Sequence, residues 1–79
     1  MGIIPILRAR EIVSILRKAG FIFVSQKGSH VKLKHHLDSG KVVTVPFHNK
    51  DVPRRTLISI LKQADVTLRD FLKLLGREQ

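Results

Sequence analysis

The sequence predicts an α+β domain in the order α-β-β-β-α-α, a three-stranded antiparallel sheet with helices on one face. Three observations predict it. Apolar residues recur at helical spacing on both sides of a central stretch, that stretch alternates with period two, and turn-forming residues cut it into three pieces. The 79 residues make one small domain over 1–79. A chain of this length buries only about 60–65% of the surface its unfolded form exposes, so any active site lies on the outside of a single packed unit.

The first helix is read over Arg8 to Gly20, where Ile12, Ile15, Leu16 and Ala19 form one stripe. Arg17 and Lys18 suit the negative end of its dipole, and Gly20 suits the residue that ends it. Its start carries no strong cap. The period then changes. Phe21 to Ser25 is aromatic and β-branched, and Gln26-Lys27-Gly28-Ser29 reads as a hairpin turn. From His30 to His36 polar and apolar residues alternate, Asp38-Ser39-Gly40 turns the chain, and Lys41 to Val45 is a third strand ended by Pro46. A loop, Phe47-His48-Asn49-Lys50, leads to Asp51 as N-cap of a second helix, with Pro53 in its first turn. Leu57, Ile58, Leu61 and Ala64 make the stripe of that helix. Thr67 to Asp70 resembles a capping box, and Leu68, Phe71, Leu72 and Leu75 follow as core or partner-docking positions, with Gly76 as the stop.

Composition narrows the class of function. Fifteen Lys and Arg against six Asp and Glu leave a net charge of +9, a field that attracts polyanions such as nucleic acid or an acidic protein. No apolar run is long enough to span a bilayer. The apolar start, Met1 to Leu7, is interrupted by Pro5 and has no basic leader or small-residue cleavage site, so it is not read as a signal peptide. Cysteine is absent, which removes disulfides and thiolate metal sites and suits a cytoplasmic protein. His35 and His36 are adjacent, would point to opposite faces of a strand, and have no carboxylate cluster near them, so no metal site is expected.

A strand that alternates has one buried and one wet face. Val31 and Leu33 then face the helices, while His30, Lys32, Lys34 and His36 share the exposed side, next to a glycine turn at which a phosphate can approach the backbone. Charge alone makes this a solvated strand face. The wider pattern makes it more. Gly20-Phe21, Gln26-Lys27-Gly28-Ser29-His30, Val43-Thr44-Val45-Pro46-Phe47-His48, Thr56-Leu57 and Ile60-Leu61-Lys62-Gln63-Ala64 together resemble the HicA (YcfA-like) toxin family, in order and spacing, over nearly the whole chain.

That resemblance implies a fold like the double-stranded-RNA-binding domain. It also implies a ribonuclease that cuts messenger RNA, the toxin of a toxin–antitoxin pair, held inactive by a HicB antitoxin covering the site. The family's catalytic histidine is the one in Gly-Ser-His, here His30. Three positions depart from the family's habits: Val31 stands where a second histidine is frequent, Arg55 where a glycine commonly precedes Thr-Leu, and Asp65 where a glycine often follows Gln-Ala.

The chemistry is compatible with so few residues. RNA carries its own nucleophile, the 2′-hydroxyl, so cleavage needs a base, cations to neutralise the phosphorane, and an acid or water at the leaving oxygen. A neutral imidazole among lysines supplies most of this without a metal, and no cofactor is called for. Lys27, Lys32 and Lys34 are the nearest cations, Gly28 leaves room for phosphate, and Ser29 can donate to it. His48 is either a neighbour or acid at the site or a loop-fixing residue. Arg54 and Arg55 fall at a helix start, where double-stranded-RNA-binding domains contact phosphate, and read equally as solvated arginines. Two alternatives share these features: a non-catalytic RNA-binding module of the same fold, and a protein whose basic surface only docks an acidic partner.

Overall fold

The computed structural model describes residues 6–48 and 50–78. The apolar start at Met1 to Pro5 and Asn49 of the loop lie outside the described residues. The chain runs β1 (Leu7–Arg8), α1 (Ala9–Lys18), β2 (Phe21–Lys27), β3 (His30–His35), β4 (Val42–Pro46), β5 (Asp51–Val52), α2 (Arg54–Ala64) and α3 (Leu68–Glu78). The expected order holds. Two short strands, β1 and β5, are added to it.

The three long strands form an antiparallel sheet in the order β2-β3-β4. Val31 and Leu33 of β3 and Val43 and Val45 of β4 are at most 4% exposed and pack into a core with Ile12, Ile15 and Leu16 of α1 and Leu57, Ile60 and Leu61 of α2. Burying each such side chain contributes roughly 1.5–3 kcal/mol. The helices therefore lie on one face of the sheet and the other face is open. Val31, where the family often has a second histidine, is a core residue here.

The β2–β3 turn is tighter than the sequence suggested. Gln26 and Lys27 belong to β2, and Lys27 pairs with His30, leaving only Gly28-Ser29 as the connection. Gly28 has φ +60° while Ser29 does not enter the positive region, the pattern of a type II′ hairpin with glycine first. Nothing lies within 4 Å of where a Cβ would stand on Gly28, so the turn geometry alone calls for glycine. Gln26 braces the turn by donating from Nε2 to the Gly28 carbonyl at 3.1 Å. β2 is an edge strand with a bulge between Phe23 and Ser25, and of its residues only Phe21 is buried.

Helix termini differ from expectation in instructive ways. The N-cap of α1, Arg8, makes no side-chain cap bond, as expected, but the Glu11 carboxylate accepts the Arg8 N–H at 2.9 Å, one half of a capping box. Asp51 is not the cap of α2. It lies in β5, paired with Arg8 of β1, and Pro53 (φ −60°, ψ 149°) takes the N-cap position. The competing demand was strand pairing, through a two-residue stretch too short to show a period. The Thr67 hydroxyl does accept the Asp70 N–H at 3.1 Å, as its spacing predicted. Gly76 does not stop α3, which runs to Glu78; a single glycine inside a helix weakens it by about 1 kcal/mol without ending it. Phe71 is fully buried, and Leu68, Leu72 and Leu75 pack against the core.

Asp65, the residue standing where the family often has glycine, closes α2 at φ 56°, ψ 41°, the left-handed conformation. That explains the family habit physically, since glycine adopts this conformation without strain.

Candidate functional site

His30 opens β3, directly after the hairpin turn, with Lys27 opposite it on β2 and Pro46 opposite it on β4. Residues paired across an antiparallel sheet project to the same side, so Lys27, His30 and Pro46 form one row on the open face. Lys32 and Lys34 continue that face along β3, and all four cationic or imidazole side chains are exposed. Thus the structure brings His30, Lys32 and Lys34 together as the alternation predicted, with Lys27 beside His30 across the turn. No hydrogen bond reaches either ring nitrogen of His30 among the described residues. Ser29 is half-buried. Its carbonyl accepts the Phe47 N–H, which joins the turn to the chain leaving β4.

His36 does not belong to this row, and His35 and His36 do not point to opposite faces as expected. β3 ends at His35, and the two rings stack at 5.0 Å with an interplanar angle of 25°. Both are tied to the end of α1. His35 Nδ1 accepts the Leu37 N–H at 3.1 Å, so its proton is on Nε2, which donates to the Ala19 carbonyl at 3.1 Å. His36 Nδ1 donates to the Gly20 carbonyl at 2.8 Å. Phe21 meets the His35 ring edge-on at 5.2 Å. These histidines are a clasp between strand and helix, in place of the solvated strand residues the sequence suggested. Gly20 is what admits them: its φ is +104°, and a Cβ there would stand 2.6 Å from His35 Nε2.

At the other end of β3 a second group of cations converges. Phe47 and His48, just after β4, line a cleft of about 200 Å³ with Arg8 and Arg10 from the start of α1. His48 is thus placed with two arginines. It makes no hydrogen bond that would fix the loop among the described residues. Arg8 lies 3.8 Å from Asp51, an exposed contact that adds little stability. Two residues past β5, Arg54 and Arg55 are exposed in the first turn of α2. That turn holds no acidic residue, so two cations stand at the positive end of a helix, an arrangement unfavourable by a few tenths of a kcal/mol each unless an anion joins them. Arg54 and Arg55 do not lie in the His30 row. They follow β5, whose Asp51 pairs with Arg8 of β1.

Sequence reasoning missed Arg8, Arg10 and Phe47, which entered only as helix flank and loop. It also missed Gln63, whose Oε1 accepts the Thr44 N–H at 3.1 Å on the free edge of β4 and whose Nε2 reaches Ser59 Oγ at 3.3 Å. An unpaired sheet edge invites other strands, and a glutamine from the covering helix blunts this one. The Gln of Ile-Leu-Lys-Gln-Ala was the available signal.

Among the described residues no group of three or more His, Cys, Asp or Glu is placed to hold a metal ion, and no helix is long and apolar enough to cross a membrane. A family model, HicA toxin of bacterial toxin–antitoxin, matches residues 9–66, and with them every element from α1 to α2. No curated protein gives a match.

Proposed function

Because the chain belongs to the HicA toxin family and is therefore the toxin of a toxin–antitoxin system, we propose that it is a metal-independent endoribonuclease that cleaves messenger RNA in the cytoplasm, with His30 as general base. The observation that carries this reading is the open His30 ring, with neither nitrogen bonded among the described residues, in a row with Lys27, Lys32 and Lys34.

The imidazole takes the proton of an RNA 2′-hydroxyl, which attacks the adjacent phosphorus. The 5′-oxygen of the next nucleotide leaves with a proton from water or from His48. The lysine row offsets the negative charge that grows on the phosphorane, and the Ser29 hydroxyl donates to a phosphate oxygen beside the open Gly28 turn. Arg54 and Arg55 hold phosphates further along the strand. The family's antitoxin partner is a HicB-type protein whose acidic surface covers the His30 face, an encounter steered by the net charge of +9.

A substrate with one deoxyribose at the cleavage position tests the mechanism. It should stay intact while the all-ribose RNA is cut, and EDTA should leave cleavage unchanged. Cleavage of the deoxy-substituted strand, or a chelator-sensitive reaction restored by a divalent ion, would overturn the 2′-hydroxyl route. Binding without any cleavage would make the protein an RNA-binding module of the same fold.

A further inference from the structure

We propose that the cleft between Phe47 and the start of α1 is a nucleotide subsite. One unpaired base of a single-stranded RNA stacks on the Phe47 ring, and Arg8 and Arg10 hold the phosphate beside it. This rests on the RNA-cleaving reading above and adds which neighbour of the scissile phosphate the protein grips.

The chain has four phenylalanines and no tryptophan or tyrosine. Phe21 and Phe71 are buried in the core, and Phe23 is exposed on the edge strand β2 away from any arginine-lined cleft, whereas Phe47, 38% exposed, stands at the mouth of a cleft otherwise lined by Arg8, Arg10 and His48. An exposed ring beside guanidinium groups is the combination that binds unpaired nucleotides: every base has a face to stack, and the arginines supply both phosphate contacts and planar stacking surfaces. A cleft of about 200 Å³ takes one ring system and excludes a duplex. Arg10 has no carboxylate partner among the described residues, and Arg8 has only the loose, exposed contact with Asp51.

The cleft is also tied to the catalytic turn. Pro46 pairs with His30, Phe47 follows it directly, and the Phe47 N–H is bonded to the carbonyl of Ser29. Paired residues stand about 5 Å apart and consecutive Cα atoms about 3.8 Å, which keeps the Phe47 Cα within about 9 Å of that of His30. The base in the cleft therefore belongs to a nucleotide next to the scissile one. The subsite gives a reason for an apolar ring to stand in the open beside a histidine and two arginines.

The test measures equilibrium binding of short single-stranded RNAs to the His30→Ala protein, in which no substrate is consumed. One abasic nucleotide is moved through the RNA. At a single position, adjacent to the site the unaltered protein cuts, loss of the base should weaken binding about ten- to a hundred-fold. Adding Phe47→Ala should cause the same loss with intact RNA and no further loss with that abasic RNA. Phe47→Trp should retain tight binding, which separates stacking from any effect on folding. Arg10→Ala should lower the slope of log affinity against log salt by about one contact, whatever the base. If Phe47→Ala binds as tightly as its parent, or if its loss adds to every abasic loss alike, the subsite does not exist. Coupling without cleavage by the unaltered protein would leave the subsite standing and remove the ribonuclease reading. Cleavage without coupling would do the reverse.

Discussion

At the start of β3, His30 stands exposed beside Lys27 with neither ring nitrogen bonded among the described residues, while at its end His35 and His36 give their nitrogens to the carbonyls of Ala19 and Gly20. The same residue type occupies both ends of one strand. At the first end cations gather on an open face and the backbone turns through two residues. At the second, a helix terminus lies against the strand and its unpaired carbonyls attract donors. An imidazole can hold a structure together or remain available to a substrate, and its partners decide between these roles. The contrast separates the candidate base from its neighbours better than composition does.

The largest effects expected divide along that line. His30→Ala should lower the cleavage rate by about 10²–10⁴-fold, the usual contribution of a general base. Its unfolding free energy should stay within about 0.5 kcal/mol of the parent, since an exposed strand position contributes little packing. His35→Ala should do the opposite, keeping the cleavage rate per folded molecule. If a folded His35→Ala protein loses cleavage as fully as His30→Ala, the division between the two ends is wrong.

Next in size is Gly20→Ala. A Cβ would collide with His35 Nε2, and the φ of +104° is strained for any side chain. We expect a loss of about 2–3 kcal/mol, or on the order of 10–20 °C in Tm for a domain of this size, by calorimetry. His35→Ala itself should lose about 1–2 kcal/mol in urea unfolding, for one part-buried and one exposed hydrogen bond and the edge contact with Phe21. A midpoint unchanged by both substitutions would show that the clasp holds nothing.

The smallest effect runs the other way. Asp65→Gly should stabilise by about 0.5–1 kcal/mol, because glycine relieves the left-handed strain and removes a carboxylate from the negative end of α2. The ion pair it forfeits, Lys41 Nζ to Asp65 Oδ2 at 3.5 Å, is largely solvated and worth little. A destabilised Asp65→Gly protein would mean that this contact matters more than its exposure suggests.

Much of this was legible in the chain. The alternation from His30 to Lys34 set which residues share the open face, because side chains in a strand alternate whatever the strand packs against. Glycine at 28 identified the hairpin, and Thr67 announced α3. Arg54 and Arg55 fall at a helix start as expected, though its N-cap is Pro53 and not Asp51. The short β1–β5 pairing was illegible, since two residues have no period. So was the cleft at Phe47, which joins residues from α1 and from the loop after β4.

The features written into the chain are therefore local: helix, strand and turn, the buried stripe of each element, and the cationic face of β3. These depend on spacings of two to four residues, which backbone geometry reads directly. The partners came from packing. The bonds from His35 to Ala19 and from His36 to Gly20 each span 16 residues, and that from Thr44 to Gln63 spans 19. Such contacts have no signature along the chain. They exist because packing the helices on the sheet brings a polar side chain within reach of a backbone group distant in sequence, and that coincidence is settled only once the whole core has formed.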